Sequence, residues 1–179
     1  DAAERYGLVV SRFSETPEYG PAMLGLAEAR SALGELERSF EHYQNLISMI
    51  VRPDPLERPA PEEVKSSLVR RSAEHLSAGA LDDALRFVTL GVDLYGSDRL
   101  PTDLLEQLAM VHSAKAESVL GPRPAGMVQD RSQVLSRLAS VPPASQREAQ
   151  RHLIRAGYFW REHAERFLIP DLDRYGQSL

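Results

Sequence analysis

The sequence predicts an all-α protein, a superhelix of stacked antiparallel helix hairpins in which some hairpins are degenerate copies of one unit. Three observations carry that prediction. Apolar residues recur at three- and four-residue steps along the long segments, and nowhere do apolar and polar residues alternate as they would in a strand. The stretch from Pro21 to Ile50 reads as two short helices folded back on each other at Gly34. Breaks rich in proline and glycine, VRPDPLERPAPEE, GPRPAG and VPPAS, punctuate the helical runs.

Residues 1–13 place Ala2, Tyr6, Val9, Val10 and Phe13 on one helical face, as the end of a preceding repeat would. SETPEYG follows as a polar loop with Ser14, Thr16 and Pro17 as turn and helix-start residues. Residues 20–51 then form the clearest hairpin. Its first helix carries Met23, Leu26, Ala27 and Leu33, with Arg30 on the same face. Gly34 stops that helix, because glycine accepts the left-handed conformation that ends helices. The second helix carries Leu36, Phe40, Tyr43, Ile47 and Ile50. One such pair cannot close a core alone and needs neighbours, which is the physical logic of a solenoid.

LGLAEARSALGELERSFEHYQNLI resembles a tetratricopeptide repeat (TPR), especially the bacterial kind found in envelope-associated lipoproteins and assembly factors. The resemblance covers about one repeat of roughly 34 residues. It puts Ala27 at the small position where the helices cross, Gly34 at the turn and Tyr43 as the large residue of the second helix. Tyr6 would hold the place of Tyr43 in the preceding repeat. Arg30 and Ser39 depart from the family's aromatic and alanine.

Residues 52–61 read as a proline-rich connector inserted into the repeat period. Residues 62–96 read as a second repeat. Glu62 and Glu63 open it against the positive end of a helix dipole. Gly79 corresponds to Gly34, Leu81 to Leu36, Ala84 to Ser39 and Val88 to Tyr43, and the second helix shows Leu81, Ala84, Leu85, Val88, Val92 and Tyr95. In its first helix the family register places Arg71 and Ser72 where Leu26 and Ala27 stand, whereas Val64, Leu68, Ala73 and Leu76 suggest a slightly rotated stripe. Residues 101–141 form a degenerate hairpin, with Pro101 at a helix start. Leu104, Leu105, Leu108, Val111, His112, Ala116 and Val119 line its first helix, and Met127, Val134, Leu135, Leu138 and Val141 its second. Residues 144–179 begin with Ser145 as a cap and continue as a helix of about 25 residues, striped by Ala149, Leu153, Ala156, Trp160, Ala164 and Phe167. Pro170 is expected to end it, with one more helix starting after. The chain as a whole, 1–179, reads as a single repeat domain cut from a longer protein, since it opens inside a helix on Asp1 and closes on PDLDRYGQSL.

Composition narrows the function classes. The formal net charge of −5 disfavours wholesale binding to nucleic acid or anionic membranes. No cysteine is present, so disulfides and thiolate ligands are excluded. No apolar run reaches the length of a membrane span, so direct membrane insertion is not expected.

Reaction chemistry is not visible. His42, His75 and His163 each follow a glutamate, but no HExxH pair forms. His152 and His163 share a helix face about 16 Å apart, too far for one ion. No GxSxG elbow and no GxxxxGK or GxGxxG phosphate loop occurs. Asp82–Asp83 and Glu62–Glu63 stand at helix starts, where negative charge is stabilising without catalysis. Arg147, Arg151 and Arg155 make a basic ridge, read first as a solvated face and second as a surface for an acidic partner or a nucleic-acid backbone. Of the consecutive aromatics, Trp160 fits the buried stripe and Phe159 faces elsewhere.

The expectation is therefore a non-enzymatic scaffold or adaptor that binds another protein or peptide, with no catalytic residue, cofactor or metal. The resemblance implies contacts from outward residues of the first helices on a concave face: Leu24, Glu28 and Ser31 on the first hairpin, Val69 and Ala73 on the second. Glu28 would favour a basic group. The rival expectation is a docking arm of a larger envelope assembly factor or enzyme, and a third is a self-associating spacer. The envelope-type resemblance tilts the compartment toward the bacterial periplasm.

Overall fold

The computed structural model describes residues 2–51, 60–121 and 131–176. Among them the regular elements are all helical: α1 (Ala2–Arg12), α2 (Tyr19–Ala32), α3 (Leu36–Val51), α4 (Pro61–Ser77), α5 (Leu81–Tyr95), a 3-10 turn (Ser97–Arg99), α6 (Thr102–Leu120), α7 (Arg131–Ser140) and α8 (Pro143–Gly176). The proline-rich connector, apart from its last residues, and the GPRPAG break beyond Gly121, with Met127, lie outside the described residues. So does the Phe167 side chain.

Two hairpins, α2–α3 and α4–α5, share one turn chemistry. Gly34 and Gly79 both have φ of +76°. The Gly34 N–H donates to the Ser31 carbonyl at 3.0 Å and the Glu35 N–H to the Arg30 carbonyl at 2.9 Å. Gly79 and Ala80 repeat the pair, donating to Leu76 at 3.1 Å and His75 at 2.9 Å. This is the Schellman arrangement, in which a left-handed glycine turns two orphaned helix-end carbonyls into acceptors. The crossing is also pinned in the same way. Ser39 donates its hydroxyl to the Ala27 carbonyl at 2.8 Å, and Ser72 donates to the Ala84 carbonyl at 2.8 Å. Serine and alanine have exchanged helices between the hairpins, yet the offset stays at 45 residues (Gly34 to Gly79, Ala27 to Ser72, Ser39 to Ala84).

Contacts gather the chain into two compact units, Asp1–Arg71 with Arg86–Leu100, and Ser72–Leu85 with Pro101–Leu179. In the first, α1 packs on α2 and α2 on α3. Met23 and Ala27 of α2 meet Phe40, Tyr43, Leu46 and Ile47 of α3, Val64 and Leu68 of α4, and Phe87, Leu90 and Leu94 of α5. Tyr43, Leu46, Val64, Leu68 and Phe87 are fully enclosed. Each such side chain contributes about 1.5–3 kcal/mol through removal of apolar surface from water. Phe87 lies 4.5 Å from the Phe40 ring centroid and edge-on to Tyr43 at 5.9 Å. Tyr6 of α1 rests its ring against Gly25 of α2 but remains partly exposed, and Phe13 is half-exposed rather than covered.

In the second unit α6 packs along α8. Leu104, Leu105, Leu108, Ala109, Val111, His112, Ala116 and Leu120 make the buried face of α6. Helix α7 closes one end through Leu138, which clusters with Leu120 and Ala149.

Three expectations change. The stripe of α4 is not rotated: Ser67, Leu68 and Ser72 are buried while Ala73 is exposed, because serine hydroxyls satisfied by hydrogen bonds take core positions that an apolar pattern assigns elsewhere. The inner face of α8 runs through Ala149, His152, Ala156 and Phe159, so Trp160 is 41 % exposed and Phe159 turns inward. Finally, α8 continues through Pro170 to Gly176. A proline removes one i→i−4 bond and crowds the preceding turn, a cost of about 3 kcal/mol that a helix can carry as a kink rather than an end.

Candidate partner-binding surfaces

On the first hairpin, α2 turns Leu24, Glu28 and Ser31 to different degrees of exposure. Leu24 is half-buried against the first unit's core. Ser31 is buried, and its carbonyl receives the Gly34 N–H. Glu28 sits at the seam with α4, where the Ser67 hydroxyl donates to its carboxylate at 2.6 Å and Arg70 pairs with the same oxygen. Arg71 reaches the Glu28 carbonyl at 3.3 Å. The basic group expected of a guest is therefore already supplied by the chain's own α4.

Behind Glu28 the polar chain continues inward. Tyr43 Oη and Ser67 Oγ are 2.7 Å apart and both buried. Ser67 has one hydroxyl hydrogen and gives it to Glu28, so Tyr43 donates to Ser67. Burial pushes the Tyr43 phenol up from its ordinary value, which keeps that donor protonated. The arrangement fixes Glu28 rigidly and leaves its second oxygen and Arg70 at the rim. On α4, Val69 is half-buried and Ala73 exposed. Also in the first unit, a cleft of about 250 Å³ opens between α3 and α5, lined by Gln44, Ile47, Ser48, Val51, Leu90 and Asp93.

The second unit holds a histidine pair that the sequence left scattered. His112 Nδ1 of α6 and His152 Nδ1 of α8 are 2.8 Å apart, one protonated and donating, the other accepting. Phe159 stacks on His112 with centroids 5.8 Å apart and planes 7° from parallel. Burial first, then the charges of His152, Arg155 and Lys115, push His112 down to about 4. Burial and Lys115 lower His152 as well, against Glu148, which acts in the opposite sense. Lys115 itself pairs with Asp82, whose carboxyl it holds below the usual range. Two neutral imidazoles hemmed by cations make a buried hydrogen bond, not a charge store. His112 already stood on the apolar stripe of its helix, and a histidine there needs a polar mate. His152 was weighed only against His163 on its own helix, and Leu153, its apolar neighbour, took its place in the stripe.

Along the outer side of α8, Arg147, Arg151 and Arg155 are all exposed. An open groove of about 580 Å³ runs beside the first two, lined by Ala144, Arg147, Gln150, Arg151 and Ile154.

Among the described residues no cluster of three or more histidine, aspartate or glutamate side chains is placed to hold a metal, and no helix is long and apolar enough to cross a membrane. Comparison with protein-family models, curated proteins and solved structures returns no match.

Proposed function

We propose that this chain is a protein-interaction scaffold of the helical-repeat kind, similar in design to tetratricopeptide repeats, and that it takes a partner protein or peptide on outward residues of the first helices of its hairpins. The observation that carries this reading is the duplicated hairpin. The Schellman turn at Gly34 and Gly79 and the serine-to-carbonyl pin recur at one offset although the side chains at the crossing have been exchanged. Duplicated hairpins bury one face of each helix and leave the other for recognition. On α2 the contacts are Leu24 and Glu28; Ser31, which the sequence grouped with them, is buried, shapes the turn and leaves the contact set. On α4 they are Val69 and Ala73. Glu28 and Arg70 offer a guest an acceptor and a donor side by side, so a polar guest group is read by charge as well as shape. No catalytic residue, cofactor or metal enters the reading.

The test uses the whole chain as bait. Ala73→Arg, at an exposed position, and Leu24→Arg combined with Glu28→Gln are each expected to abolish capture of the partner that the parent chain retains. Melting curves verify that each variant is folded. Unchanged capture by the folded variants removes these residues from the binding face.

A further inference from the structure

Three arginines of α8, Arg147, Arg151 and Arg155, differ from the cations that are paired with carboxylates elsewhere among the described residues. Arg30 and Arg38 share Glu35, Arg86 grips Glu37 with both terminal nitrogens, and Arg161 reaches Glu165. Arg147, Arg151 and Arg155 have no hydrogen bond and no carboxylate partner among the described residues. They recur every four residues, so their guanidinium groups line one ridge about 6 Å apart along the helix axis. This happens in a chain whose acidic residues outnumber its basic ones, 26 to 21.

Beside the ridge lies apolar surface. Ile154 is 72 % exposed, the most exposed large hydrophobic side chain described, and Tyr158 one turn on is 47 % exposed. Arg161 stacks over the Tyr158 ring at 5.8 Å. Ala144 and Ile154 are the apolar members of the groove beside Arg147 and Arg151. Ridge and apolar side chains together present charge beside exposed apolar surface, the two components of a compact recognition patch.

We infer that the outer face of α8 docks an acidic amphipathic peptide segment of a partner protein, its carboxylates on Arg147, Arg151 and Arg155 and an aliphatic side chain on Ile154. A carboxylate accepts two parallel N–H bonds from one guanidinium, and carboxylates spaced three or four residues apart on a partner helix match a ridge of this repeat. Exposed Ile154 gives an aliphatic side chain of that peptide an apolar contact beside the charge pairs. The surface is on a different element from Leu24, Glu28, Val69 and Ala73, and neither reading depends on the other.

The experiment titrates the full chain into a fluorescein-labelled synthetic helical peptide with glutamate at every fourth position and one leucine between them, read by anisotropy at low salt. Binding is expected to weaken at least about tenfold when the glutamates become glutamine, and by a similar factor in Arg147→Glu with Arg151→Glu. Ile154→Ser, or serine in place of the peptide's leucine, is expected to weaken it separately. Absence of peptide binding overturns the proposal, and so does binding that ignores the arginine changes. A single-stranded RNA or a phosphatidylglycerol vesicle that binds through the same arginines more tightly than the peptide, with no response to Ile154→Ser, overturns it in favour of a general polyanion surface.

Discussion

His112 and His152 make a pH-sensitive contact in the second unit. Both titrate lower in the fold than in the unfolded chain, where an imidazole sits near 6.5. As pH falls, the unfolded chain takes up protons before the fold does. Stability is therefore whole above pH 6.5 and declines as pH drops toward about 4, by on the order of 2 kcal/mol from His112. Burial lowers His42 too, adding in the same direction. Melting curves between pH 7.5 and 4.5 are expected to show this slope in the parent and a shallower one in His112→Leu with His152→Leu, where both polar partners leave together. In the first unit Tyr43→Phe removes only the donor to Ser67 and is expected to cost about 1 kcal/mol in chemical denaturation. These polar side chains were poorly legible beforehand. Buried serine and histidine look like errors in an apolar stripe until the partner, 24 residues away for Tyr43 and Ser67 and 40 for the histidines, comes into view.

At the scale of elements, the glycine turns were legible because a helix end needs a left-handed residue and glycine supplies it without strain. Gly34→Ala and Gly79→Ala are each expected to lower stability by about 1 kcal/mol, since both sites hold φ of +76°. Neither site has a neighbour that an added methyl would strike, so the two losses should agree closely. The serine pins separate more. Ser39→Ala breaks one bond to Ala27, while Ser72→Ala breaks the bond to Ala84 and also strands the Gln107 amide, which donates to Ser72 at 3.1 Å. Ser72→Ala is therefore expected to cost about 1 kcal/mol more than Ser39→Ala. Helix α8 was the least legible element. A one-residue rotation exchanged Trp160 for Phe159, because a stripe of Ala149, His152, Ala156 and Phe159 offers few large apolar residues to fix the phase.

For the whole molecule, the helical class followed from periodicity and the first hairpin from periodicity with the Gly34 stop, whereas the division into two units did not. The boundary passes through α4 and α5 rather than between elements, and no break in the sequence marks Arg71 or Leu85. Function is legible only as far as exposed side chains allow, which is why the scaffold reading rests on the duplicated hairpin. The measurement that bears on it most directly is amide hydrogen exchange of the full chain alone and with its captured partner. The proposal predicts added protection in Tyr19–Ala32 and Pro61–Ser77. Protection confined to Leu36–Val51 and Leu81–Tyr95, around the cleft between the second helices, would contradict it.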